Sequence, residues 1–286
     1  MNKVSLLVAT LLTANTALAD SKALTLDVYN AGAGSFNVNA TVVYGETEAI
    51  VVDSGFSKAD ALRIAAKVLD SGKELKTIFI SQADPDYYFG VEVLHDLFPQ
   101  ANALTTPAVK QALEQKLQKK LSFWGPKLGA NAPVKPATLT AYTQDSLSVD
   151  GHKIEIRGTK GILAHRPYLW IPDNKAIIGN IGVFGNIHLW MADTQTDQSI
   201  NAWSAQLDEM QALKPEVVVP GHMKAGTKLN AETISYSQGY IKDFQAAKAA
   251  SKNSTELIEK ISAKYADPTS LALGIAAKVH MGEMKW

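Results

Sequence analysis

Hydrophobic and polar residues alternate along the first part of the chain, a pattern typical of β-strands. The alternating segments cover residues 24–29, 35–44 and 48–53. Turn-forming residues separate them, at Asn30–Gly34 and at Gly45–Thr47. Strands joined by such short turns favour an antiparallel meander.

A helical period replaces the alternation after residue 53. Ser57 is a good helix N-cap residue, the apolar positions between 61 and 69 share one helical face, and Gly72 stands where a C-cap belongs. The compact apolar run 77–80 then predicts a buried strand. Strand, helix and strand form one β-α-β unit, for which we expect a right-handed crossover.

The rest of the chain mixes both patterns. Thr106-Pro107 opens a helix that we expect to run to about Lys120, followed by an irregular loop or lid over 121–136. Trp124 in that loop either covers a pocket or packs the loop onto the body. Further strands are predicted at 137–142, 146–149, 152–157, 168–172, 175–179 and 216–220, and further helices at about 198–213 and over most of 230–280.

The N-terminus has the features of an export signal. Lys3 is followed by an apolar run from Val4 to Leu12 that is too short to span a bilayer, and Ala17-Leu18-Ala19 is a small-x-small cleavage site. We therefore expect cleavage after Ala19 and a periplasmic or secreted protein.

Composition excludes several classes of function. The 286 residues are 46% hydrophobic and 20% charged, which is an ordinary globular balance. Lys plus Arg equals Asp plus Glu, 28 each, so no basic surface for nucleic acid is indicated, and no second apolar span follows the signal. Without cysteine, the chain has no disulfide, thiolate zinc site or cysteine nucleophile.

The most informative polar segment follows the 77–80 strand. It reads Ile80-Ser81-Gln82-Ala83-Asp84-Pro85-Asp86-Tyr87-Tyr88-Phe89-Gly90 and continues into a helix that starts at 91–95. Asp84 and Asp86 thus lie at the carboxyl end of a strand, where α/β proteins place their chemistry. Two oxygens there can converge on one cation or polar ligand.

This segment resembles the metal-binding loop of the metallo-β-lactamase-fold hydrolase superfamily, His-x-His-x-Asp-His, in a degenerate form. Here the loop reads Gln82-x-Asp84-x-Asp86-Tyr87, so only the aspartate is kept. Four further segments match the family in order: Asp53-Ser54-Gly55, the stretch around His165, Gly179-Asn180 and Pro220-Gly221-His222. The resemblance implies an α/β fold, the four-layer αββα sandwich, in one domain over 20–286 whose C-terminal region, from about 229, is helical.

The resemblance also implies a set of metal ligands: Asp84, Asp86, His165 and His222. A dinuclear zinc site is not expected, because Gln82 and Tyr87 are poor ligands and Asn180 cannot bridge two cations. One divalent metal (zinc, iron or manganese), or none, is the expectation. In an enzyme, metal-bound water would attack a small ester, lactone or amide-like bond, Asp84 or Asp86 would accept a proton, and Tyr87 would hydrogen-bond the oxyanion.

A substrate pocket is expected beside this centre, formed by Gln82, Asn180, His188 and Trp190. Two other functions remain open: a catalytically inactive periplasmic protein that binds a small molecule in the same pocket, and a scaffold that uses the helical C-terminal region. The sequence indicates no oligomeric state.

Overall fold

A computed structural model describes residues 23–135, 138–266 and 271–286. The export signal predicted for residues 1–19 lies outside this part. The first sheet has the strand order β1-β2-β3-β4-β5-β6. Its strands are β1 (Thr25–Asn30), β2 (Asn39–Tyr44), β3 (Glu48–Val52), β4 (Glu74–Ile80), β5 (Asn102–Thr105) and β6 (Thr140–Ala141). The first three strands are antiparallel and β3 to β6 are parallel.

The second sheet has the order β12-β10-β9-β8-β7. Its strands are β7 (Ser146–Val149), β8 (His152–Arg157), β9 (Tyr168–Ile171), β10 (Ala176–Ile178) and β12 (Val217–Val218). A separate parallel pair joins β11 (Phe184–Gly185) to β13 (His222–Met223).

Helices cover the outer face of each sheet. They are α1 (Lys58–Ser71), α2 (Pro85–Tyr88), α3 (Val91–Leu97), α4 (Pro107–Leu128), α5 (Asp197–Ala212), α6 (Glu232–Ala249), α7 (Ser254–Ser262) and α8 (Leu271–His280). None of them, in the described part of the chain, is both long and apolar enough to cross a membrane.

Successive side chains of each strand point to opposite faces of the sheet, and this alternation explains how the layers stack. Val43, Val52 and Phe79 face the second sheet and share a buried cluster with its strands. Their neighbours along the chain point the other way and pack on α1, α3 and α4. On the far side, α5 to α8 pack on the second sheet through residues such as Trp203 and Phe244. The predicted α/β architecture, with two sheets between helical layers, is confirmed.

The predicted β-α-β unit is also present. The Ser57 hydroxyl accepts a hydrogen bond from the backbone N–H of Asp60 (3.1 Å), and the Asp60 carboxylate accepts one from the N–H of Ser57 (3.0 Å), so the two residues form a capping box. Gly72 ends α1 in the left-handed region, at φ +67°. The parallel pairing of β3 with β4 completes the unit.

The helix expected over most of 230–280 is interrupted at 250–253, between α6 and α7, and of the strand expected over 137–142 the described part contains β6 (Thr140–Ala141). Two further segments differ from the prediction. The strand expected over 35–44 begins at Asn39, because 33–35 form a 3-10 turn. The loop expected from 121 is helical to Leu128, since α4 continues past Lys120 with Pro126 in its last turn. The rings of Phe36 and Phe56 pack edge-on against Trp124 of α4, a tertiary contact that outweighs the weak local helix signal.

Candidate functional site

The segment after β4 turns directly into a short helix. Asp84 has an extended backbone, and Pro85 opens α2, for which its fixed φ is suited. The backbone N–H of Tyr87 donates to the carbonyl of Asp84 (3.0 Å), and that of Phe89 donates to Pro85 (2.9 Å). Asp84 and Asp86 are therefore held on one tight turn at the end of a buried strand.

The Asp53-Ser54-Gly55 turn holds this helix in place. The Ser54 N–H and hydroxyl both donate to the carbonyl of Tyr87, at 2.8 and 2.9 Å. The N–H of Gly90 donates to the carbonyl of Gly55 at 3.1 Å. These three bonds lock the polar segment against the end of the neighbouring strand β3.

Asp53 is buried and faces the start of the same segment. Its carboxylate accepts hydrogen bonds from the N–H and the hydroxyl of Ser81, both at 2.8 Å. Burial raises the pKa of Asp53 to about 7, although the two bonds from Ser81 oppose the rise. Asp53 thus holds the start of the segment that carries Asp84 and Asp86.

His222, the last residue that matches the family, lies beside Asp86. It begins β13 and is buried. Its Nδ1 lies 2.9 Å from the carbonyl oxygen of Phe36, so Nδ1 is the protonated nitrogen. Its Nε2 lies 3.5 Å from Oδ2 of Asp86. Two groups separated by 136 positions, from 86 to 222, therefore meet between the strand ends.

Burial disfavours the charged forms of both groups of this pair. It raises the pKa of Asp86 to about 8, and the neighbouring charge of Asp84 adds to the rise. It lowers the pKa of His222 to about 4, against the hydrogen bond to Phe36. The pKa of Asp84 is also raised, by burial and then by Asp193. The ionised form of the Asp86 carboxyl therefore lacks a stabilising partner in this pair, and the neighbouring imidazole presents its unprotonated nitrogen.

The side chain of Tyr87 packs against His222. Its side chain is fully buried, and its ring packs edge-on against the imidazole with centroids 5.6 Å apart. Its hydroxyl donates to the carbonyl of Asn180 at 3.2 Å. Burial raises its pKa well above the usual value, so it remains a phenol. The donor that the sequence suggested for an oxyanion is thus already bound to a backbone carbonyl.

Replacing Tyr87 by phenylalanine tests this structural role. The variant loses one hydrogen bond and leaves the Asn180 carbonyl without its donor, so we expect the free energy of unfolding to fall by about 1 kcal/mol. Urea denaturation of both proteins measures the difference. A loss near zero would show that the hydroxyl is not engaged in solution.

Gln82 and Asn180 bind the backbone and do not line the cavity described below. The amide nitrogen of Gln82 donates to the carbonyl of Pro167 at 2.9 Å. That of Asn180 donates to Val219, and its amide oxygen accepts from the N–H of Val183, both at 2.9 Å. The two amide groups donate to backbone carbonyls, and Oε1 of Gln82 is buried without a hydrogen-bond partner in the described part of the chain.

The four predicted metal ligands do not come together. Within residues 23–135, 138–266 and 271–286, no three or more His, Asp or Glu side chains are arranged as a metal would need. His165 is half-buried and lies beside Arg166 and Lys116; burial, then these two cations, lower its pKa. Nζ of Lys120 lies 3.9 Å from Oδ1 of Asp84.

These contacts decide whether the family's metal fits. A catalytic zinc site takes three protein ligands, whereas the close pair here supplies two, Asp86 and His222. Tyr87 fills the volume beside them with a protonated, fully buried phenol. The donor set therefore does not fit a catalytic metal: of the four ligands expected from the sequence, Asp86 and His222 form the close pair.

A cavity of about 490 Å³ opens above the pair. Its polar floor contains Asp84, Asp86, His188 and His222, so four of the residues singled out from the sequence line it. Trp190, expected in the pocket, lines it as well. Lys120, Lys127 and Asp193 add charged groups to the lining.

Several aromatic rings line the cavity. Trp124 packs edge-on against Phe56 at 5.2 Å between centroids and against Phe123 at 4.9 Å. Trp286 packs edge-on against Trp190 at 5.6 Å, and its Nε1 donates to the carboxylate of Asp193 at 2.5 Å. Sequence reasoning missed five of these aromatic residues, since no local pattern distinguishes a cavity-lining ring from a core ring; they are Phe36, Phe56, Phe123, Phe184 and Trp286.

The sequence model of the metallo-beta-lactamase superfamily matches residues 33–222, two thirds of the chain. The chain belongs to the metallo-beta-lactamase superfamily. The match runs from the first meander to His222 and contains the degenerate loop at 82–87. The resemblance seen in the sequence is therefore confirmed, although no curated protein matches the chain.

Solved structures of this superfamily share the fold. A metallo-beta-lactamase family protein from Thermus thermophilus aligns with a TM-score of 0.64 and 14% identity, over 91% of this chain and 92% of that one. The DIM-1 metallo-beta-lactamase aligns with a TM-score of 0.54 and 18% identity, over 78% and 99%. A metallo-beta-lactamase from Pontibacter korlensis gives 0.52 and 14%, over 80% and 98%. At these identities the likeness concerns the fold alone.

Proposed function

We propose that this member of the superfamily binds a small, largely apolar molecule in the 490 Å³ cavity and does so without a catalytic metal. The observation that carries the proposal is a roomy cavity with aromatic walls and a few polar groups on its floor. Such a composition is typical of small-molecule sites, in which apolar walls give affinity and a few polar groups set orientation. We expect the protein to act in the periplasm or outside the cell.

The donor set separates binding from the family's hydrolysis. Activation of water by a metal needs an ion held by several ligands with one position open. Here Asp86 and His222 stand 3.5 Å apart, and His165 does not line the cavity. What remains is a hydrogen-bonding floor: the carboxyl of Asp86 and Nε2 of His222 can donate to and accept from one polar group of a ligand.

A neutral apolar dye tests the proposal directly. N-phenyl-1-naphthylamine should bind at about one site per chain, with a rise in fluorescence as it leaves water. Ala272 lines the cavity from α8, so Ala272→Trp should fill it and weaken dye binding by about tenfold or more. Lys278→Trp, on an exposed position of the same helix, is the matched control and should bind as the native protein does. Equal binding by both variants would place the dye elsewhere and contradict the proposal.

A second candidate is the hydrolase that the sequence suggested, with one divalent metal and a small ester, lactone or amide-like substrate. One observation favours it: Nε2 of His222 is the unprotonated nitrogen, and Asp84 lines the same cavity as Asp86. A metal arriving at Asp86 and His222 would then have a second carboxylate within the same cavity wall.

Metal analysis distinguishes the two candidates. Protein purified under metal-replete conditions should contain less than about a tenth of an equivalent of zinc, iron or manganese if the donor set is insufficient. The content should be the same in His222→Ala. About one equivalent in the native protein, lost in Asp86→Ala and in His222→Ala, would instead establish the hydrolase candidate.

A further inference from the structure

We infer that the ligand of this cavity is an organic cation, a protonated amine or amidine attached to an aromatic or bulky apolar body. The cationic group lies at Asp84 and Asp86, and the body lies against the aromatic side chains that line the cavity. The inference rests on the proposed binding function and names the class of ligand.

Neither carboxyl group of the cavity forms a close ion pair with a lysine or arginine, although the charges of Lys120, Arg166 and Lys116 act on Asp84. Asp86 is 8% exposed, and among the described residues the one basic side chain within 4.0 Å of it is His222, at 3.5 Å. Asp84 has Lys120 at 3.9 Å, which is beyond the roughly 2.7–2.9 Å of a charge-assisted hydrogen bond. Both carboxyl groups therefore retain oxygen atoms that can accept hydrogen bonds from a ligand.

The second lysine of the cavity is engaged elsewhere. Nζ of Lys127 lies 3.4 Å from the centroid of the Phe123 ring and donates to the Phe123 carbonyl at 3.1 Å. The ammonium group of Lys127 thus already contacts the Phe123 ring, which lines the cavity. Attraction between a cation and an aromatic face is strongest when water is excluded, as it is inside a cavity.

The walls suit the body of such a ligand. Trp124 with Phe56, and Trp190 with Trp286, form two edge-packed pairs that both line the cavity. A flat ring packed against these side chains buries apolar area, which supplies affinity that an inorganic cation cannot obtain. An inorganic cation would also need more ligands than Asp84 and Asp86 provide.

Charge arrangement disfavours an anionic ligand. A carboxylate or phosphate on the cavity floor would face Asp84 and Asp86, and the two lysines that could pair with it, Lys120 and Lys127, already contact Asp84 and Phe123. Like charges in a desolvated site repel strongly. A neutral ligand would leave the carboxyl groups without the donors that a protonated amine supplies.

Three probes of similar shape and different charge test the inference: 2-phenylethylamine, 2-phenylethanol and 3-phenylpropanoate, each competing with N-phenyl-1-naphthylamine at about pH 7. We expect the amine to bind about tenfold or more tightly than the alcohol, and the carboxylate to bind most weakly. Asp86→Asn should reduce the preference for the amine over the alcohol to about threefold or less, because the asparagine amide carries no negative charge. Asp70→Asn, at an exposed position of α1, is the matched control and should keep the full preference.

The outcomes distinguish a failure of this inference from a failure of the proposed function on which it rests. If the dye itself does not bind in the cavity, the proposed function fails. If the dye binds and the amine shows no advantage over the alcohol, or none of the three probes competes, the inference alone fails. Tightest binding by the carboxylate would overturn it as well and assign the charge selection to Lys120 and Lys127.

Discussion

Gly90→Ala is expected to lower the free energy of unfolding by about 3 kcal/mol or more, because its new methyl group has no space. A Cβ on Gly90 would lie 1.9 Å from the carbonyl oxygen of Ser54 and 2.8 Å from Cβ of Ala61. The segment carrying Asp84 and Asp86 would have to move away from the Ser54 turn. That movement breaks the bonds that this turn forms with the segment, at 2.8 to 3.1 Å.

The same substitution in α8 is the control. A Cβ on Gly274 would meet no atom within 4 Å, so Gly274→Ala should keep the native stability or gain up to about 1 kcal/mol from its higher helix propensity. Urea denaturation of the two variants and the native protein gives the comparison. Dye binding should fall with Gly90→Ala, since the carboxylates of the cavity floor belong to the displaced segment. A fully stable Gly90→Ala protein would mean that this segment does not lie against the Ser54 turn.

The second large expected effect is a pH-dependent loss of folding stability, caused by ionisation of the Asp53 carboxyl. The carboxyl has a pKa of about 7 in the folded protein and 3.8 as its ordinary value. Since the folded protein holds the proton more tightly, the stability that this group contributes is fully present below about pH 4 and is lost as the pH rises toward 7. The ionised group then costs about 4 kcal/mol, from a difference of about 3.2 pH units at roughly 1.36 kcal/mol each.

Asp53→Asn should remove this loss. An asparagine can accept the N–H of Ser81 and donate to its hydroxyl, and asparagine tolerates the left-handed backbone of this position, φ +66°. Relative to the native protein, the variant should gain about 3 kcal/mol between about pH 5 and pH 8, which is roughly two units of the same titration. Urea denaturation at both pH values measures the gain, and titrating groups that do not interact with Asp53 cancel in the difference.

Asp150→Asn serves as the control for the charge change itself. Asp150 is hydrogen-bonded by Thr47, and these bonds lower its pKa to about 2. Its titration is complete by about pH 5, so the difference from the native protein should be the same at about pH 5 and pH 8. A pH-independent difference for Asp53→Asn as well would show that the Asp53 carboxyl is solvated in the folded protein.

Local patterns were sufficient for most of the secondary structure. The capping residues Ser57 and Thr106 and the terminating Gly72 act within one turn of their helices, so the sequence near them carries the signal. The prediction was wrong where distant residues supply the stabilisation. Residues 121–128 are poor helix formers locally, and they are helical where Trp124 packs against two phenylalanine rings from other parts of the chain.

In the candidate site, too, some features were predictable from the sequence and others depend on distant contacts. Asp86 and His222 each follow a strand, and strand ends of packed sheets meet, so their proximity could be expected. The directions of Gln82 and Asn180 could not, because a side-chain amide turns to whichever backbone group is left unpaired around it. The carbonyl groups to which the two amides donate, those of Pro167 and Val219, are remote in sequence.

The sequence by itself determined most strands and helices, because their periods and capping act over a few neighbouring positions. Its motif resemblance to the superfamily implied the two-sheet α/β fold and the polar residues at the strand ends. Only the tertiary structure decided that a protonated tyrosine occupies the centre, that His165 does not line the cavity with Asp86, and that Trp124 and Trp286 form walls of that one cavity. These arrangements depend on contacts between residues far apart along the chain, and packing selects them after the local elements have formed.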